Sequence, residues 1–331
     1  MPKGELGVQK GNKCHRLALS RPSAHLLIGS IGYLRSMTSP RFANTLPLLA
    51  VLGSVTALGI GTSLAKQLFP QVGALGTTAL RVGFSALLLL VLWRPWRWPL
   101  SRADAVSLLR YGVALGLMNL LFYQSLRTIP FGVAVAIEFS GPLAVAMLAS
   151  RKPVDFLWLA LAIVGLGLLL PFGQGALGLD VTGVLYALAA AVCWGAYIVF
   201  GKRVGHLHAG HCVALGLCVA AVTVVPFGIW HAGAALLEPR ILLLGLVVAA
   251  ISSAVPISLE MVALKRLPVE AFGIMTSMEP AVAALLGLLV LDEHLSGLQW
   301  LAIACTMLAA AGSSVTVRRT LPPSAPAEVV M

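Results

Sequence analysis

"LRTIPFGVAVAIEFSGPLAVAMLAS", residues 126–150, and "LKRLPVEAFGIMTSMEPAVAALLGL", residues 264–288, read as two copies of one segment. At a shift of 138 positions Pro130 falls on Pro268 and Pro142 on Pro280, with a basic residue ahead of each leading proline. Nearer the start of each half, Gly59 and Lys66 fall on Gly195 and Lys202 at a shift of 136. The pattern predicts two halves of five spans each. Five is odd, so the second copy enters the membrane upside down. Inverted repeats around a midplane cavity are the architecture of many secondary transporters. The repeat therefore points to a carrier.

Composition agrees with a membrane solvent. The 331 residues are 59% apolar and only 11% charged, too little polar surface to cover a soluble domain of this size. About 20 apolar residues cross the hydrocarbon core as a helix, which pairs its own backbone groups. Ten such spans are predicted at 46–66, 74–93, 106–126, 131–150, 154–172, 181–201, 210–230, 241–263, 269–291 and 297–317. The fold class is thus all-α integral membrane, with repeats over 46–172 and 181–317.

The net charge of +11 raises the question of nucleic acid, but its placement answers it. With the N-terminus inside, Lys and Arg crowd the inner connections: Arg94, Arg97, Arg102, Arg110, Arg151, Lys152, Lys202, Arg203, Lys265, Arg266, Arg318 and Arg319, besides the N-terminal tail. The outer side holds only Lys66, Arg127 and Arg240. That is positive-inside asymmetry, with both termini cytoplasmic. No polyanionic partner is needed.

Residues 1–45 are polar and basic and read as a disordered tail; their apolar stretch at 24–34 is too short to span and makes a poor signal peptide. A start of translation at Met37 is the sharper expectation. Residues 318–331 read as a second disordered, cytoplasmic tail. The five cysteines form neither a disulfide framework nor a zinc spacing. For "HLHAGH" (206–211) an interfacial loop is favoured over a metal site. No metal or cofactor is expected. Gly112 and Gly116 form a GxxxG, read as helix packing.

Charges inside the bilayer cost about 2.5–3.5 kcal/mol each on insertion scales, so each needs a reason. Arg81, Glu138, Glu260 and Glu279 are the candidates. Counting residues into each span puts Arg81, Asn119 and Glu138 at one level and Glu279 near the midplane. Glu260 lies near an inner helix end, where snorkelling to the interface is favoured over a proton-coupling role. Pro142 frees the carbonyl of Glu138, and Pro280 frees that of Thr276, the residue aligned with Glu138. Gly141 adds softness beside Pro142. Each half thus gains an interrupted helix beside a carboxylate. An Arg and a Glu at one depth suit a zwitterion, guanidinium for carboxylate and carboxylate for ammonium. Alternatively Arg81 and Glu138 neutralise each other. Tyr123, Trp194 and Tyr197 are candidates to wall the cavity.

Four stretches carry a resemblance: "SLAKQLFPQVGALGTTALR" (63–81), "GLMNLLFYQSLRTIPFGVAVAIEFSGPLAVAM" (116–147), "RKPVDF" (151–156) and "SLEMVALKRLPVEAFGIMTSMEPAVAALLG" (258–287). In order and spacing they resemble the inner-membrane threonine/homoserine exporters of the EamA branch of the drug/metabolite transporter superfamily. The resemblance spans about residues 46–318. It implies ten helices in two inverted repeats around a central cavity, and export of small neutral amino acids driven by protons. Arg81, Asn119, Tyr123, Glu138, Ser140, Glu260 and Glu279 match motif positions. The expected mechanism is alternating access, with Glu138 or Glu279 exchanging a proton for the substrate ammonium. The rivals are the same fold carrying another metabolite or drug, and a non-transporting scaffold. A membrane enzyme would need a clustered nucleophile or metal, and the densest outer cluster, Asp292–Glu293–His294, reads as a solvated connection.

Overall fold

The computed structural model describes residues 40–97, 100–149, 153–169, 179–264 and 269–318. The chain divides into two compact units, Met1–Thr45 and Leu46–Met331. In the first, residues 40–45 are helical. The tail before residue 40, the segments holding Arg151, Lys152, Lys265 and Arg266, residues 170–178 and the C-terminal tail from Arg319 lie outside the described residues.

The described part is helical: α1 (Pro40–Lys66), α2 (Phe69–Trp93), α3 (Arg102–Ser125), α4 (Phe131–Glu138), α5 (Ser140–Ala149), α6 (Pro153–Leu169), α7 (Val181–Arg203), α8 (Ala209–Ala232), α9 (Pro239–Ala249), α10 (Val255–Leu264), α11 (Val269–Thr276), α12 (Glu279–Leu291) and α13 (Gly297–Arg318). Seven helical stretches are long and apolar enough to cross a membrane, and three shorter apolar helices occupy the fourth, fifth and tenth predicted spans. The protein is a multi-pass, all-helical membrane protein.

Local chemistry sets several boundaries. Ser101 caps α3 by accepting from the Asp104 N–H, and Asp180 caps α7 by accepting from the Thr182 N–H. The fourth span breaks: α4 stops at Glu138 and α5 begins at Ser140, two residues before Pro142, which has no N–H. The ninth span breaks likewise between Thr276 and Glu279, ahead of Pro280. The eighth span departs from the simple prediction. Between α9 and α10 runs a π-helical turn, Ala250–Ala254, closed by the Val255 N–H donating to the Ala250 carbonyl. Hydropathy alone reads this stretch as one regular helix.

Packing follows small residues. A side chain at Gly112 would strike Val219 and the Gly216 carbonyl, and one at Gly116 would strike Ala220, so the GxxxG seats α3 on α8. Gly141 serves a role beyond the softness expected of it. A Cβ there would stand 2.0 Å from the Ala191 carbonyl oxygen, so its absence lets α5 press onto α7.

Candidate functional site

The helices enclose a cavity of about 430 Å³, lined by one cationic side chain, Arg81, and three carboxyl groups, Glu138, Glu260 and Glu279. That volume suits a small metabolite. Its lining runs toward the end of the bundle where α3 and α8 begin and α7 ends, reaching Tyr111, Tyr197 and Gly210.

Arg81 on α2 is held by neutral acceptors. Its Nε donates to Ser252 Oγ at 2.9 Å and its Nη1 to Asn119 Oδ1 at 2.6 Å. Asn119 is itself oriented, because its Nδ2 donates to the Leu115 carbonyl one turn back on α3. Behind Arg81 stands Tyr123, its ring centroid 5.3 Å from the guanidinium carbon, a cation–π arrangement. Among the described residues, no carboxylate lies within ion-pair distance of Arg81. Arg81 and Glu138 act on each other electrostatically through space, and their mutual neutralisation lacks only a direct contact. A guanidinium offers five donors, so several N–H groups stay open to an occupant.

Glu138 ends α4 and is only 7% exposed. It sits where the helix is interrupted, and Phe139 in the gap packs edge-on against Trp194 at 5.3 Å between ring centroids. Glu138 and Glu279 are close enough to interact electrostatically, as are Glu279 and Glu260. Glu260 does not stretch away to an interface: it lines the cavity and accepts from Ser54 Oγ at 2.8 Å. Tyr111 and Tyr197 stack with ring centroids 4.7 Å apart and share a hydrogen bond of 3.1 Å.

The Tyr123 hydroxyl is fully buried and has no hydrogen-bond partner, although Thr62 and Arg81 both lie beside it. Tyr123 was expected to wall the cavity, but it is not among the lining residues and stands behind Arg81 instead. Ser140 is not among the residues lining the cavity, nor are the helix-break residues Gly141 and Pro142; Pro280, buried next to Glu279, is not either. Ser85, Ser252, Ser253 and Thr62 do line it and were not singled out from the sequence.

At the opposite end, the connection between α12 and α13 is not simply solvated, as "LDEHLS" suggested. Glu293 Oε1 accepts from Lys66 Nζ at 2.5 Å, and its Oε2 accepts from the Phe131 N–H at 2.7 Å. One carboxylate thus ties the end of α1 to the start of α4. Asp292 and His294 beside it are exposed and pair with each other at 3.5 Å.

Residues 181–315 match the EamA-like transporter family. The chain is 49% identical over 274 residues to the "Threonine/homoserine exporter RhtA" of Salmonella typhimurium strain LT2, covering 83% of this chain and 93% of the relative. The chain belongs to the EamA-like transporter family. The RhtA exporter of Escherichia coli strain K12 is 48% identical over the same share of both chains. The "Uncharacterized transporter YwfM" of Bacillus subtilis strain 168 is 29% identical over 251 residues, 71% of this chain and 81% of that one. A solved crystal structure superposes with a TM-score of 0.51 at 20% identity, over 84% of this chain and 99% of that one, and so shares its fold. As an EamA-like transporter the protein is a carrier and not an enzyme.

Proposed function

We propose that the protein exports small neutral amino acids, threonine and homoserine, across the inner membrane by alternating access coupled to protons. The observation that carries this reading is the cavity: Arg81, with open N–H donors and no carboxylate in contact, shares it with Glu138 and Glu279. A guanidinium takes the substrate carboxylate, and a facing carboxylate takes the ammonium. The high identity to RhtA exporters supports the substrate class.

The cycle runs on two inverted repeats. Spans equated by the repeat lie against one another, α2 on α8, α4 on α12 and α6 on α13, which supports a twofold relation between halves. The charge asymmetry puts the open end of the cavity toward the cytoplasm, with both termini there. Substrate loads from that side, and the Lys66–Glu293–Phe131 contact keeps the outer end shut. Opening outward requires that contact to part. Return takes a proton onto Glu138 or Glu279 in exchange for the departing ammonium; a carboxyl group withdrawn from water favours its neutral form.

The test is efflux from cells loaded with labelled threonine and homoserine, with and without the protein, before and after collapsing the proton gradient. Faster efflux that stops with the gradient is expected. Equal efflux of both amino acids with and without the protein would move the substrate to another metabolite.

A further inference from the structure

Two serines in succession, Ser252 and Ser253, face α2 from the π-helical turn of the eighth span. A π turn carries an extra residue relative to an α-helix and recurs at functional sites. Here it brings two neighbouring hydroxyls onto one helix: Ser252 Oγ accepts from Arg81 Nε, and Ser253 Oγ accepts from Ser85 Oγ at 2.7 Å. The turn is clamped from its other side, because a Cβ at Gly61 would stand 2.7 Å from Ser252 Cβ and 2.9 Å from its amide nitrogen. α1 therefore presses directly on the turn through a glycine.

The two serines differ in what they have left to offer. Ser252 is committed: it donates to the Val248 carbonyl and accepts from Arg81. Ser253 accepts from Ser85 and donates to no described residue, while both Ser85 and Ser253 line the cavity. A hydroxyl has one donor and two acceptor sites, so Ser253 keeps its O–H for an occupant. Ser85 lies four residues after Arg81, one helical turn along the same face and about 6 Å by helical rise. With a hydrogen bond at each end, a small hydroxylated amino acid can bridge that span between its carboxylate and its side-chain hydroxyl.

We propose that Ser253, oriented by Ser85, is the subsite that recognises the substrate's side-chain hydroxyl and so selects hydroxylated amino acids over apolar isosteres. The proposal rests on the reading of the cavity as an amino-acid site and deepens it. Threonine and valine have the same shape and differ in one hydroxyl, so the pair isolates this contact. An apolar side chain cannot pair the Ser253 O–H, whereas a hydroxyl can; one hydrogen bond in a partly wet site is worth about tenfold in affinity.

The experiment uses the full chain in proteoliposomes, with labelled homoserine as the transported species and unlabelled threonine or valine as competitor. Wild type is expected to prefer threonine to valine by about tenfold. Ser253→Ala and, separately, Ser85→Ala should bring the two competitors to near equality, while Ser253→Thr, which keeps a hydroxyl, retains most of the preference. A serine pair serving only to hold two helices together would lower the amount of folded protein and leave the ratio unchanged. An unchanged ratio in both alanine variants overturns the proposal, as does a wild type that treats threonine and valine alike. Absence of homoserine transport by wild type overturns the amino-acid reading itself, and this subsite with it.

Discussion

Arg81 is the residue on which the site turns. It is the single cationic side chain among the lining residues, and what holds it, Asn119 and Ser252, is neutral. Neutral acceptors orient a guanidinium without cancelling its charge, which leaves that charge for a ligand. Arg81→Lys keeps the charge but loses the planar fork, and an ammonium cannot hold Asn119, Ser252 and a carboxylate in the same geometry. The apparent affinity for threonine should fall about tenfold, with normal membrane insertion. An affinity equal to wild type in a transport titration would remove Arg81 from carboxylate recognition. Counting residues along the spans was enough to single out Arg81, Asn119 and Glu138, which line one cavity, because intramembrane polar groups are rare. It was not enough for Ser85, Ser252 and Ser253. Serine is common in membrane helices, and nothing in hydropathy marks a π turn.

At the scale of elements, the prolines announced the broken helices but not their closest contact. Pro142 and Pro280 each remove one N–H, and the fourth and ninth spans are interrupted just ahead of them. Gly141 was read as softness, whereas its place in the structure is a close approach between α5 and the α7 backbone. A pairing between distant segments leaves no local trace in the chain, which is why that reading fell short. Backbone cannot yield as a flexible side chain does, so Gly141→Ala should destabilise the protein by about 1–3 kcal/mol. A thermal midpoint in detergent indistinguishable from wild type would contradict that packing. Glu293 follows the same logic. Sequence placed it in a solvated connection, but its partners Lys66 and Phe131 are 227 and 162 positions away along the chain.

For the molecule as a whole, the all-helical membrane fold and its approximate span count were legible, since each is a long-range regularity of composition. The contacts that close one end of the bundle were not legible, because they join side chains distant along the chain, such as Lys66 and Glu293. The account places the connection between α7 and α8 in the cytoplasm and that between α12 and α13 outside. In a background without native cysteines, Gly205→Cys should react with an impermeant thiol reagent only in inside-out vesicles. Asp292→Cys, at an exposed position, should react only in right-side-out vesicles. The reverse labelling would invert the direction of transport assigned to the open cavity.

The most direct test of the central claim is proton-gradient-driven efflux of labelled threonine from proteoliposomes containing wild type, Glu138→Gln or Glu279→Gln. The account predicts gradient-driven efflux by wild type and its loss in at least one variant, with both variants inserted and monodisperse. Full gradient-driven efflux by both variants would contradict it.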